Sequence, residues 1–281
     1  MSAAMADFYR KNGYLVVPDL FTAAEIGAIK DETTHLFRGE RGPIEGLLRV
    51  DPHMTDVEVL RQYLAVHFPH KLSPVIEKSL AHPGIVEVLT QIIGPNLKCM
   101  QSMLFVKGPG KPGQSWHQDE YYIPTRDRSL GAAWIALDDA TVENGCLWIV
   151  PGSHQSGVVM RRVLGRNPEF AEPDTLDLAG HGEDRAIPVE VKAGSVVFFH
   201  GYLLHSSRRN KTRDCFRMAL VNHYMSAESL LPWDHDGKLP PTDDLRDIVM
   251  VAGTDPYAWK GIVSANLPYL RAEEPDARID R

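Results

Sequence analysis

Cysteine is scarce in this chain: Cys99, Cys146 and Cys215 are the only three in 281 residues, widely spaced and with no C-x-x-C pair. That excludes a disulfide framework and a thiolate zinc cluster, and predicts unpaired thiols in a reducing compartment. Long apolar runs are missing too. No stretch approaches the roughly 18 apolar residues that span a bilayer. The start, Met1-Ser-Ala-Ala-Met-Ala-Asp-Phe8, lacks the basic-then-apolar layout of a secretory signal, and Ala277-Arg-Ile-Asp-Arg281 is not the Ser-Lys-Leu peroxisomal address. A cytoplasmic protein with no membrane partner is expected. Positive charge is not in excess either: 30 Lys and Arg against 37 Asp and Glu leave a net charge of −7. Phosphate binding needs clustered cations, so a nucleic-acid partner is not expected. The basic runs Arg161-Arg162 and Arg208-Arg209-Asn-Lys211-Thr-Arg213 read as solvated loop faces.

What is present is ordinary globular material, 43% hydrophobic and 24% charged. A chain of this length buries enough surface to fold without a structural metal. No internal repeat or low-complexity linker divides it, so a single domain over 1–281 is expected. It would comprise a helical N-terminal part to about 95, a core over about 98–225 and a tail over 226–281. Tyr14-Leu-Val-Val-Pro18 reads as a short strand. Thr22-Ala-Ala-Glu25 is a capping box for a helix reaching about Phe37, with Phe21 and Ile26 at the staple positions. A second helical pattern covers about Pro74 to Ile93, broken near His82-Pro83-Gly84.

From about Lys98 the texture changes to short apolar runs divided by Gly, Pro and Asn. Strands are predicted over Cys99–Val106, Gly131–Leu137, Gly145–Val150, Ile187–Val191, Ser195–Phe199, Tyr202–Ser206 and Phe216–Met225. After Leu231 the composition predicts loop plus short helix. The expected fold is mainly β with flanking helices, built on a double-stranded β-helix, or jelly roll.

The informative segment is Ser115-Trp-His-Gln-Asp-Glu-Tyr-Tyr122. In a strand, residues two apart share a face, so His117 and Asp119 are expected to project together. A His-x-Asp alone says little, since a chain this long carries one by chance roughly a third of the time. A distant second imidazole makes it the two-His-one-carboxylate triad of non-haem iron sites, which leaves coordination positions open. The run Gly194-Ser-Val-Val-Phe-Phe-His-Gly-Tyr-Leu-Leu-His-Ser-Ser207 reads as strand, turn, strand. His205 lies late in its second strand, with Ser207 on the same face, whereas His200 falls at the turn and reads as structural. Arg217 opens the alternating run Phe216-Arg-Met-Ala-Leu-Val-Asn-His-Tyr224, where a charge is costly unless paired. His223 shares its face and is a candidate neighbour of the site. A competing pair, His181-Gly-Glu183, lies in a Gly-rich stretch with no strand to aim it.

Together these residues resemble the phytanoyl-CoA dioxygenase family of iron(II)- and 2-oxoglutarate-dependent oxygenases. The likeness extends over Trp134-Ile-Ala-Leu-Asp-Asp-Ala-Thr-Val-Glu-Asn-Gly-Cys-Leu-Trp-Ile-Val-Pro-Gly-Ser-His154. That run is especially similar to the phytanoyl-CoA dioxygenase domain-containing protein 1 branch. With Gly13-Tyr-Leu-Val-Val-Pro-Asp19 included, the resemblance spans roughly 8–225. It implies that His117, Asp119 and His205 bind Fe(II). It also implies that Met103 and Trp134 line the 2-oxoglutarate pocket, and that Ser207 and Arg217 take the far carboxylate. From residue types alone, Met103 and Trp134 read equally as core. The family's upstream lysine on 2-oxoglutarate has no match in Arg61-Gln-Tyr-Leu-Ala-Val-His67.

Charge arithmetic agrees with this. Iron(II) with one aspartate leaves about +1, 2-oxoglutarate adds about −2, and one guanidinium, whose fork matches a carboxylate, balances the sum. The expected reaction consumes 2-oxoglutarate and dioxygen and hydroxylates a small organic substrate, either an acyl-CoA or another metabolite. Related halogenases have a small residue at the carboxylate position, so Asp119 favours hydroxylation. Two other readings remain at this point: a zinc hydrolase using the same ligands, and a catalytically inactive jelly-roll binding module. The loops 123–130 and 155–186, with Arg126, Arg128, Arg161 and Arg162, are expected to shape the substrate entrance.

Overall fold

Capping residues set the first elements. In the computed structural model, which describes residues 1–157, 160–165, 167–178, 182–231 and 243–272, Ser2 caps α1 (Ala3–Asn12). Gly13, at φ 78°, closes that helix before β1 (Tyr14–Val17). Thr22 and Glu25 make the expected reciprocal capping box on α2 (Ala23–Phe37). A second box, Thr55 with Glu58, opens α3 (Asp56–Arg61), which leads into β2 (Tyr63–His67). Pro74 and Pro83 begin α4 (Pro74–Leu80) and α5 (Pro83–Ile92). The break expected near His82 falls between these two helices, because proline suits the first turn of a helix and not its interior.

The remaining strands are β3 (Leu97–Lys107), β4 (Gly131–Ala136), β5 (Leu147–Ile149), β6 (Arg162–Leu164), β7 (Asp174–Leu176), β8 (Ile187–Val189), β9 (Val196–His200), β10 (His205–Ser207), β11 (Arg217–Ser226), β12 (Val249–Ala252) and β13 (Tyr269–Ala272). The larger sheet runs β1-β9-β4-β11-β3-β2-β13, with β12 also paired to β3, and the smaller runs β10-β5-β8. Strands β6 and β7 form a separate ribbon.

Side-chain alternation explains the layering. On β9 and β11, Val196, Phe198, Met218, Leu220 and Tyr224 pack with Ile29, Leu36 and Ile85 of the helices. Their neighbours Val197, Phe199, Ala219 and Val221 face the other way, onto Trp134 and onto Leu147 and Ile149 of the smaller sheet. Helices therefore cover one face of the larger sheet and the smaller sheet covers the other. This is the jelly roll that the strand spacing predicts.

Two expectations need correction. The tail holds more than the expected loop and short helix: beside the single helical turn Ala258–Lys260, β12 and β13 extend the larger sheet against β3 and β2. The β-branched run Ile248-Val-Met-Val251 suits a strand, and pairing to the free edge of β3 realises it, whereas Tyr269–Ala272 is too short to signal a strand by itself. Lys71, with its Nζ 2.7 Å from Asp247, helps to hold the tail to the barrel. The strand expected over Tyr202–Ser206 begins only at His205. Before it, the chain turns tightly after β9, with Leu203 N donating to His200 O at 2.8 Å. Among the described residues, no helix is long and apolar enough to cross a membrane.

Candidate active site

A cavity lies in the space between the two sheets, with His117, Asp119 and His205 in its wall. His117 is not part of a continuous strand. It makes one antiparallel bridge to His205, each amide donating to the other's carbonyl at 3.0 and 3.1 Å. The bridge sets the two rings side by side, centroids 4.1 Å apart. At Asp119 the chain enters a 3-10 turn (Asp119–Tyr121). Turn geometry, not the strand alternation expected from sequence, carries the carboxylate to the imidazoles.

Asp119 Oδ1 lies 3.6 Å from His117 Nε2 and 3.5 Å from His205 Nε2. One donor atom from each of the three falls within 4.8 Å of the others, and no fourth His, Cys, Asp or Glu among the described residues joins them. His117 Nδ1 is 2.7 Å from Ser115 O, and His205 Nδ1 is 2.9 Å from Leu203 O. A carbonyl only accepts, so each Nδ1 carries the proton and each Nε2 presents a lone pair to the centre. His223 Nε2 stands 3.2 Å from Asp119 Oδ2 and holds the oxygen that faces away from the other two rings.

Electrostatics favour the metal-binding protonation states. Burial opposes the Asp119 charge, but the imidazoles of His205, His223 and His117 hold its pKa below the usual carboxylate range. Burial, reinforced by His205, pushes the His117 imidazole down to about 3. A neutral imidazole beside an ionised carboxylate is the donor set a divalent cation requires.

Also lining the cavity, Arg217 on β11 is 4% exposed, and its Nε is buried with no hydrogen-bond partner among the described residues. The guanidinium carbon lies 5.6 Å from the centre of the Trp134 ring. Burial pulls the Arg217 pKa down to about 10. A buried cation lacking a carboxylate is expensive, and an anionic ligand entering the cavity would relieve that cost. Met103 and Trp134 line the same cavity, as does Ser207.

Sequence reasoning missed Lys107. It is 6% exposed, and its Nζ donates to Ser207 Oγ at 2.9 Å. The available signal was parity on β3, where Met103, Phe105 and Lys107 share the inward face. Arg271 and Glu172, paired at 3.2 Å, also border the cavity and were not singled out.

Other candidates lie elsewhere. His200 ends β9, where its Nδ1 accepts from Tyr202 N at 3.1 Å, and it takes no part in the cluster. His181 and the Glu183 side chain lie outside the described residues. Arg162 pairs with Asp174 and lies over the Tyr122 ring at 5.6 Å, close to His117. Arg128 lies over Tyr202 at 5.7 Å.

Residues 9–219 match the model of the family described as phytanoyl-CoA dioxygenase (PhyH). The chain belongs to the phytanoyl-CoA dioxygenase family. As a member it is a non-haem dioxygenase of the iron- and 2-oxoglutarate-dependent class. Its side chains are of the kind both groups need, with two imidazole Nε2 atoms and a carboxylate that could hold the ion and a buried guanidinium that could take a cosubstrate carboxylate. Phytanoyl-CoA dioxygenase 1 of Oryza sativa subsp. japonica is 29% identical over 269 residues, covering 83% of this chain and 93% of that protein. Phytanoyl-CoA dioxygenase domain-containing protein 1 of Bos taurus is 36% identical over 186 residues. That match takes in 64% of this chain, and the chain spans 62% of the bovine protein's length. Among solved structures, the non-heme alpha ketoglutarate dependent carbocyclase SnoK from nogalamycin biosynthesis is similar at 28% identity and a TM-score of 0.67, covering 90% of this chain and 97% of its own. EctD from S. alaskensis, at 20% identity, TM-score 0.68 and coverage of 89% and 86%, shares the fold.

Proposed function

We propose that the chain hydroxylates a small organic substrate, with iron held by His117, Asp119 and His205 and the far carboxylate of 2-oxoglutarate held by Arg217 and Ser207. The observation that carries this is the pairing of a three-donor centre with a buried guanidinium that has no carboxylate partner among the described residues, in one cavity. A zinc hydrolase would need the three donors and would leave Arg217 without a purpose. A binding module would need neither.

When bound, iron and 2-oxoglutarate supply the oxidising chemistry, in which the cosubstrate and dioxygen become succinate and carbon dioxide as hydroxyl reaches the substrate. The chain's own residues position and exclude. Ser115 O and Leu203 O fix the tautomers of His117 and His205, and His223 holds Asp119 from behind. Arg217 offers its fork to a carboxylate over an apolar floor that includes Trp134, where a charge-assisted bond is strong. Glu172 and Arg271, which border the cavity, would meet an entering substrate.

The three free cysteines accord with a reducing, cytosolic setting, which belongs to this proposal. Substrate identity is approached by screening 2-oxoglutarate turnover across CoA thioesters and free small metabolites. The proposal expects iron-dependent succinate formation that rises with one of them. Turnover that ignores 2-oxoglutarate, or that zinc supports, would overturn it.

A further inference from the structure

Three polar groups meet behind the proposed cosubstrate pocket, and their hydrogen-bonding capacity leaves one proton unassigned. Lys107 Nζ donates to Gly145 O at 3.1 Å, Arg208 O at 2.7 Å and Ser207 Oγ at 2.9 Å. An ammonium has three protons, and the two carbonyls only accept, so the third goes to Ser207 Oγ. That oxygen also accepts from Gln114 N at 3.1 Å. A hydroxyl has two acceptor sites and one proton. With both acceptor sites filled, the Ser207 proton must point away from Lys107 and Gln114.

The remaining direction faces the cavity, which Ser207, Lys107 and Arg217 all line. Lys107 and Arg217 are directly opposed across β3 and β11. We propose that Lys107 is a positioning residue for the cosubstrate, turning the Ser207 hydroxyl into a donor toward the far carboxylate that Arg217 grips. This rests on the cosubstrate reading given above.

The surrounding backbone is shaped for it. Gly145 sits at φ +84°, and a Cβ there would lie 2.9 Å from Lys107 Nζ and 2.3 Å from Arg208 O. Only glycine lets that turn bring its carbonyl to the ammonium. Burial and the neighbouring Arg217 push the Lys107 pKa well below its ordinary value. An arriving dianion opposes that shift and holds the lysine charged.

The test is anaerobic calorimetry on the manganese-loaded full chain, titrated with 2-oxoglutarate and with 2-oxopentanoate, which lacks the far carboxylate. Lys107→Met, Lys107→Gln, Ser207→Ala and the Lys107→Met/Ser207→Ala double variant are compared with the parent. One charge-assisted hydrogen bond predicts a loss of roughly tenfold or more in 2-oxoglutarate affinity for each single variant. The double variant should lose no more than the weaker-binding single, because the lysine acts through the serine. Binding of 2-oxopentanoate should stay within about twofold throughout.

Unchanged 2-oxoglutarate affinity in Lys107→Met, equal losses for both ligands, or losses that multiply in the double variant would overturn the proposal. So would failure of both lysine variants to fold, which would assign the ammonium to the barrel framework. A parent protein that binds no 2-oxoglutarate would instead overturn the cosubstrate reading beneath it.

Discussion

Replacing Arg217 with methionine should move cosubstrate affinity and protein stability in opposite directions. The side chain is buried at 4% exposure with no anionic partner among the described residues. Burial lowers its pKa to about 10, which corresponds to roughly 3 kcal/mol against the charged form. Losing the contact with Trp134 removes about 2 kcal/mol of cation–π attraction in a desolvated setting. Arg217→Met should therefore leave the cosubstrate-free protein unchanged or more stable by about 1 kcal/mol, or roughly 2 °C in Tm. A forked pair of charge-assisted bonds is worth about 3–6 kcal/mol. Part of that gain offsets the burial cost, so 2-oxoglutarate affinity should fall by about 100- to 1,000-fold. Differential scanning calorimetry without ligand and anaerobic titration with 2-oxoglutarate measure the two effects. A variant with parental affinity, or one whose cosubstrate-free form loses several kcal/mol, would show that Arg217 belongs to the framework.

Three further outcomes follow from the same contacts. Asp119→Ala should lower metal affinity by more than the roughly 10–100-fold typical of outer partners and abolish substrate-coupled succinate formation, measured by metal titration and product assay. Gly113→Ala places a Cβ 1.8 Å from Ser207 O, a backbone clash that should cost about 1–3 kcal/mol in chemical denaturation and weaken 2-oxoglutarate binding. Burial, with Lys71 nearby, pushes the His70 pKa down to about 4 from 6.5. The unfolded chain therefore binds the extra proton between those values, so stability is full above pH 6.5 and falls as pH drops toward 4. His70→Gln should remove up to about 3 kcal/mol of that fall, read from urea unfolding at stepped pH.

The core strands were legible because they are short, largely apolar runs divided by Gly, Pro and Asn, as in β4 and β11. Helix α2 was legible from its capping box, whereas α1 was not singled out. Helix α3 and strand β2 were not anticipated, although Thr55 and Glu58 form an equally good box. The six-residue helix is too short to display a periodic face. β12 and β13 become strands only because β3 and β2 offer edges, a tertiary fact absent from four-residue runs.

His117, Asp119, His205 and Arg217 could be singled out from residue type and spacing. Their convergence rests on one bridge and one turn that no local pattern encodes. Lys107 escaped notice because an isolated lysine at the end of an apolar strand reads as a solvent-reaching terminus. Only the return of Ser207 and Gly145 around it reveals that it is buried.

The central claim meets its most direct test in a simple reaction: purified full-length protein, air, and 2-oxoglutarate with either iron(II) or zinc. Carbon dioxide release and succinate are followed as candidate substrates are added. The account predicts conversion with iron alone, at equal yields of the two products, and none with zinc or with Asp119→Ala. Conversion that persists in Asp119→Ala, or hydrolysis supported by zinc with 2-oxoglutarate untouched, would contradict it.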